Sequence, residues 1–172
     1  MKVLKEYEIP FVGLKEGMHN YHFRVDHEFF AQFEYSEVQQ GTLSVDVNLE
    51  KRSRMMVFTF NIDGKVVVPC DRCLADMDLR LKGEQRLIVK LGHEWKEETD
   101  EILIIPDTES HIDISGFIYE YIMLLLPYQR MHPEGEGLCD ETMIEKLEKH
   151  EPHREDPRWD ALKELKDNKD IT

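Results

Sequence analysis

Cysteine is scarce in this sequence, long apolar runs are missing, and basic residues are outnumbered. Three cysteines among 172 residues are too few for the disulfide framework of a small secreted domain. No apolar run approaches the roughly 20 residues that a membrane span needs. Because acidic residues follow the start at once, with Glu6 and Glu8, we expect no signal peptide. These absences predict a cytoplasmic protein.

The balance of charge argues against unaided, broad RNA binding. The net charge is −14, from 36 acidic and 22 basic residues, whereas proteins that grip nucleic acid carry a basic patch. The dense basic cluster is Lys51, Arg52 and Arg54, and we group Arg72 with it as a contact point. A solvated hairpin turn is the favoured interpretation of this cluster, and a phosphate contact is the alternative.

Signatures of catalysis are missing as well. The sequence has no Gly-x-Ser-x-Gly motif and no glycine-rich phosphate loop. Paired carboxylates are so common in this acidic chain that their presence decides nothing. No nucleophile, base and orienting residue can be proposed as a set, so we expect no enzymatic activity.

What the sequence does contain is a change of hydrophobic period near Pro106. Before it, apolar and polar residues alternate, as in half-buried antiparallel strands. After it, apolar residues follow helical spacing from Asp113 to Leu126, with Asp113 as the cap. The pattern predicts an α+β fold: an antiparallel, barrel-like or sandwich β-sheet of six or seven strands over residues 2–105, a packed helix, and short C-terminal helices.

Three local features refine this prediction. Asp63-Gly64 is a strong hairpin signal, because both residues tolerate positive φ. Glu94–Glu101 has the composition of an acidic loop. Asp140–Lys149 predicts a short helix with an inward apolar side formed by Met143, Ile144 and Leu147.

The chain divides near residue 150. Residues 1–150 are expected to form a single α+β domain, and residues 151–172 a charged linker and a C-terminal docking helix. Asp156 followed by Pro157 is a good helix start. This helix, extending to Lys166, carries a narrow apolar stripe that we expect to contact a partner: Trp159, Leu162 and Leu165.

The cysteines allow several interpretations. Cys70 and Cys73 follow Pro69, where the preceding strand should end, and this spacing suits a metal site, a redox disulfide or a tight turn. Cys139 and His132 could complete a zinc set. The gap between His132 and Cys139 is irregular for a zinc knuckle. Because a closed site needs four convincing ligands, the pattern favours free thiols, with no cofactor and with zinc absent or weakly held.

Several short motifs resemble the YceD family, the large ribosomal RNA subunit accumulation proteins. The resemblance spans roughly residues 66–165, and its most specific part is Cys-x-Arg-Cys-Leu combined with Asp-Pro-Arg-x-x-x-Leu. The matching pieces are Val68-Pro-Cys-Asp-Arg-Cys-Leu74, Ile112-Asp-Ile-Ser, Leu126-Pro127, Gly137-Leu-Cys139 and Asp156-Pro-Arg-Trp-Asp-Ala-Leu162.

The resemblance implies a non-enzymatic role in large-subunit rRNA accumulation, with a ribosomal precursor or ribosomal protein as partner. The charge leads us to expect a ribonucleoprotein or protein contact in place of a grip on bare RNA. Two alternatives stay open: an acidic protein–protein interaction module without an RNA role, and a zinc-stabilised binding module. Many relatives carry further cysteines near Gly-Leu-Cys, where this chain has Met131 or His132, Gly135 and residues 140–143. That departure agrees with absent or weakly held zinc.

Overall fold

The structure, a computed structural model, describes residues 5–133 and 139–150. After a 3₁₀ turn at Lys5–Tyr7, the described chain contains eight strands and three helices. The strands are β1 (Glu8–Pro10), β2 (Gly17–Val25), β3 (Gln40–Lys51), β4 (Met55–Pro69), β5 (Asp76–Gly92), β6 (Lys96–Thr99), β7 (Ile102–Pro106) and β8 (His111–Asp113). The helices are α1 (His27–Phe30), α2 (Ser115–Leu124) and α3 (Glu141–His150).

Six of the strands form one sheet in the order β2-β3-β4-β5-β7-β6, and β1 pairs with β8 in a separate two-stranded sheet. Every pair in these sheets is antiparallel except β5 with β7, which run parallel. The α+β class is confirmed. The barrel-like form is not, because the described sheet stays open, with β2 and β6 at its two edges.

The core lies on one face of the large sheet, as the alternation predicts. Every second residue of β3 from Leu43 to Leu49 is buried, as are Phe58, Phe60 and Ile62 of β4. Helix α2 covers this face: Ile118 and Ile122 are fully buried, and the Tyr121 and Phe60 rings meet edge to face with centroids 5.1 Å apart. Phe117 packs against the same core while staying partly exposed.

The predicted hairpin turn at Asp63-Gly64 is wrong. Both residues lie inside β4, where Gly64 is opposite Leu43 of β3 and Leu81 of β5. A Cβ on Gly64 would come within 2.4 Å of the Thr42 carbonyl oxygen. Gly64 therefore allows two backbones to approach closely and does not form a turn. Glycine inside a strand often marks such a close approach.

The acidic loop predicted over Glu94–Glu101 is also corrected. Lys96–Thr99 is the edge strand β6, antiparallel to β7, with a register shift between Glu97 and Thr99. All four residues of β6 are exposed. No alternation of apolar residues marks this strand, because none of its side chains is buried.

The helix predicted over Asp113–Leu126 is shorter at both ends in the structure. The Asp113 carboxylate accepts a hydrogen bond of 2.8 Å from the Ser115 N–H, the first residue of α2. The last turn closes at Leu125, just before Pro127, which cannot continue a helix interior. No helix within the described residues is long and apolar enough to cross a membrane.

Helix α3 begins one residue after the predicted start, and the Asp140 carboxylate just before it accepts from the Thr142 N–H at 2.8 Å. Its apolar side is less buried than expected. Met143 and Ile144 are half-buried, and Leu147 is 50% exposed. The predicted linker and docking helix, with Trp159, Leu162 and Leu165, lie outside the described residues.

Candidate metal centre

The two neighbouring cysteines lie on a tight turn between β4 and β5. The Cys70 N–H donates to the Ala75 carbonyl at 2.8 Å, and the Leu74 N–H donates to the Cys70 carbonyl at 2.9 Å. Leu74 has φ 62°, which is unusual for a residue with a Cβ. This left-handed residue turns the chain back toward β5. Both thiols, Cys70 and Cys73, are buried by the turn.

A reciprocal pair of hydrogen bonds brings the segment after α2 onto this turn. The Asp71 N–H donates to the Arg130 carbonyl, and the Arg130 N–H donates to the Asp71 carboxylate, both at 2.7 Å. The Arg130 guanidinium also reaches the Glu37 carboxylate at 3.2 Å. These contacts fix the backbone two residues ahead of His132.

His132 lies between two of the cysteines. Its Nδ1 atom is 3.6 Å from the Cys73 Sγ and 3.6 Å from the Cys139 Sγ. The ligand atoms of Cys70, Cys73, His132 and Cys139 all lie within 4.8 Å of one another. The structure therefore brings together the whole set that the sequence analysis proposed, although the spacing favoured free thiols.

These distances suit a tetrahedral zinc ion. Zn–S distances of about 2.3 Å and Zn–N distances of about 2.0–2.1 Å place a sulfur and a nitrogen about 3.6 Å apart in a tetrahedron. That separation matches both distances from the His132 ring to sulfur. Three thiols and one imidazole are also an accepted donor set for structural zinc. The donor set and these two distances are therefore compatible with a zinc ion.

The electrostatics of the cluster favour a thiolate at Cys70 and oppose one at Cys139. Burial raises the pKa of the Cys70 thiol, but hydrogen bonds from the backbone N–H groups of Cys73, His132 and Arg72 outweigh it and lower that pKa to about 6. At Cys139, burial and then the neighbouring thiols of Cys73 and Cys70 raise the pKa. A bound cation would offset the cost of a second and a third thiolate.

Asp71 and Arg130 are the positioning residues that the sequence analysis missed. They lie 59 positions apart, and no periodicity or motif links residues at that separation. The spacing of six residues between His132 and Cys139 is irregular for a zinc knuckle because these two ligands do not belong to one local turn. The fold, and not the local motif, determines which side chains meet.

The predicted basic contact residues do not form one patch. The Lys51 Nζ donates to the carbonyls of Phe11 and Leu14, at 2.7 and 2.6 Å, so it has a structural role. Arg72 lies just beyond the other end of β4, whose 15 residues correspond to roughly 45 Å of extended chain. Of the remaining two, Arg52 pairs with the Glu50 carboxylate at 2.8 Å, and Arg54 approaches the Leu91 carbonyl at 3.5 Å.

Fold and cluster together define a class: a mixed α+β protein whose three thiols and one imidazole meet at the end of a long hairpin. The chain belongs to the YceD family. The family described as "Large ribosomal RNA subunit accumulation protein YceD" matches residues 58–166, more than half of the chain. This range contains all four residues of the cluster, and it confirms the resemblance expected over roughly residues 66–165.

One curated relative is similar over a shorter range. "Uncharacterized protein YlbN" of Bacillus subtilis (strain 168) is 30% identical over 78 residues, which are 45% of this chain and 44% of that protein. The alignment thus spans less than half of the relative's own length. No solved structure matches the chain.

Proposed function

We propose that this protein supports the accumulation of large-subunit ribosomal RNA during ribosome biogenesis in the cytoplasm, as a non-enzymatic factor. The family match over residues 58–166 carries the proposal, because the family is described by that role. The description names an accumulation protein and no reaction. The function is tied to the part of the chain that contains the cysteine cluster, the long β4–β5 hairpin and helix α2.

We further propose that the contact is made with a protein or a pre-assembled ribonucleoprotein. The net charge of −14 repels phosphates at long range. Lys51, which the sequence analysis placed among the candidate contact residues, donates to two backbone carbonyls. The basic cluster thus has fewer cations available to contact a phosphate than its sequence suggested, which supports a protein-dominated contact.

Gene deletion tests the biogenesis role. We expect the deletion strain to contain less large-subunit rRNA relative to small-subunit rRNA, with the ratio restored by a plasmid-borne copy. Sedimentation of extracts would place the protein with large-subunit precursors. An unchanged rRNA ratio in the deletion strain would remove the proposed role.

We also propose that Cys70, Cys73, His132 and Cys139 bind zinc as a structural site. The support is the donor set and the two distances of 3.6 Å from the His132 ring to sulfur, which outweigh the irregular spacing on which the expectation of absent or weak zinc rested. The protein supplies four ligands, so no position is left for a reacting water. The metal would fasten the β4–β5 turn to the segment after α2 and to the start of α3.

Elemental analysis of protein purified without chelator tests the zinc site. We expect one zinc per chain, most of it lost in Cys70→Ser and His132→Ala. His111→Ala is the matched control, because His111 is exposed and its ring contacts only Ser110 among the hydrogen bonds of the described chain. Wild-type protein with no stoichiometric zinc would restore the interpretation as free thiols.

A further inference from the structure

A second feature lies away from the cysteines, between α2 and the β6–β7 edge of the sheet. It is a cleft of about 550 Å³. The buried side chains of Leu87, Leu103 and Tyr121 form part of its wall, and Leu124, which is 71% exposed, stands at its rim. The other apolar lining residues are Ile102, Phe117, Tyr119 and Met123.

Charge in this cleft has one sign. Glu97, Asp100 and Glu120 line it, and no lysine, arginine or histidine of the described chain does. None of the three carboxylates takes part in an ion pair with another described residue. Burial, and then the charges of Glu120 and Glu101, raises the pKa of Tyr121 to about 12.

An apolar wall with an acidic rim favours a ligand that carries both apolar groups and cations. Apolar side chains of a ligand gain by leaving water, and cations gain beside carboxylates that lack a partner in the described chain. A nucleic acid would place its phosphates against the three carboxylates and be repelled. The chain's own residues 151–172 fit poorly, since they carry seven acidic and five basic residues.

We propose that this cleft binds a lysine- or arginine-rich peptide segment of a protein partner, with apolar side chains on the α2 wall and cations beside Glu97, Asp100 and Glu120. The class of partner rests on the proposed function, because proteins that bind rRNA carry basic segments of this kind. The cleft would be the protein-contact surface of a chain whose charge disfavours direct RNA contact.

A labelled peptide provides the test. The probe is a short fluorescent peptide that alternates leucine with lysine, and its binding to the full chain is followed by anisotropy at low and physiological salt. Two control peptides replace either the lysines by glutamate or the leucines by serine. We expect the probe alone to bind, more weakly as salt rises.

Substitutions locate the binding. Glu97→Gln/Asp100→Asn/Glu120→Gln should weaken probe binding about tenfold or more, since three rim charges are lost. Leu124→Ser should weaken probe binding about fivefold. The matched control is Glu16→Gln/Asp46→Asn/Glu84→Gln, which removes the same charge from exposed positions outside the cleft. Circular dichroism would verify that each variant is folded.

Each alternative outcome is decisive. Equal weakening by the two triple variants would mean that net charge attracts the peptide, and the cleft assignment would be wrong. A probe that fails to bind the wild-type chain but binds the Trp159→Ser/Leu162→Ser/Leu165→Ser variant would mean that the chain's own C-terminal residues occupy the cleft, which also overturns the proposal. Failure of the proposed function shows separately, as an unchanged rRNA ratio in the deletion strain with probe binding intact.

Discussion

Gly64 occupies a point where neighbouring strands leave no room for a side chain. An added Cβ would lie 2.4 Å from the Thr42 carbonyl oxygen and 2.6 Å from the Leu43 Cα. Both are backbone atoms of β3, so relief requires the strands to separate, and that would disturb the ladder that places Lys65 and Val66. The cost arises from packing and not from φ, because Gly64 is not among the positive-φ glycines.

We predict that Gly64→Ala destabilises the protein by about 2 kcal/mol or more, as overpacking against rigid backbone does. Gly116→Ala is the matched control, because it makes the same change inside α2, where nothing lies within 4 Å of the added Cβ. Removing a glycine from a helix should stabilise by up to about 1 kcal/mol. Urea unfolding measures both, and an unchanged midpoint for Gly64→Ala would contradict the packing argument.

Individual residues also show which part of the metal site could be predicted from the sequence and which part could not. Cys70, Cys73, Cys139 and His132 were identifiable because thiol and imidazole are the usual zinc ligands. Their convergence was not, since it depends on the pairing of Asp71 with Arg130 across 59 positions. Spacing along the chain is informative only while the ligands share one local turn, as the two neighbouring cysteines do.

At the scale of structural elements, a lysine links the end of β3 to the connection between β1 and β2. Lys51, the last residue of β3, donates to the carbonyls of Phe11 and Leu14. These two carbonyls lie in the connection between β1 and β2, which pairs with no strand of the described chain. The lysine therefore anchors a loop to the large sheet.

We predict that Lys51→Met costs about 1–3 kcal/mol, because it leaves two carbonyls without their charged donor. Arg52→Met, one position along, should change stability by less than about 1 kcal/mol, since Arg52 and Glu50 form an exposed surface ion pair. Urea midpoints compare the two variants, and hydrogen exchange at the Leu14 amide reports the loop directly. Equal midpoints would mean that Lys51 is an ordinary surface cation.

Predictability differed among elements for physical reasons. The long strands β3, β4 and β5 bury one face and so carry a clear period of two. Strand β6 is exposed throughout and carries none. The parallel pairing of β5 with β7 depends on the chain crossing back after Gly92, and alternation does not encode strand direction. The Asp63-Gly64 turn failed because glycine also permits close strand contact.

At the scale of the whole molecule, three cations on the outer face of the β4–β5 hairpin stand beside carboxylates. Lys65 pairs with Asp78, while Arg80 and Lys82 both approach Asp63. A phosphate arriving there must compete with a carboxylate already in place. The outer face of the β4–β5 hairpin is thus mixed in charge, and it adds no separate basic patch to compensate for the net charge of −14.

We therefore predict that the purified protein binds naked large-subunit rRNA fragments no more tightly than about 10 µM at physiological salt, within the range of weak non-specific contacts. Filter binding over a salt series measures this. The decisive variant is Arg52→Gln/Arg54→Gln/Arg72→Gln, with Lys51 kept because its loss would disturb the fold. Its control removes three cations outside the predicted contact residues, each of which faces a carboxylate: Lys65→Gln/Arg80→Gln/Lys82→Gln. Since no strong contact is expected, neither variant should alter binding by more than about threefold. Tight binding with a steep salt dependence, lost only in the first variant, would show that those arginines grip RNA directly, and the protein-dominated contact would then be wrong.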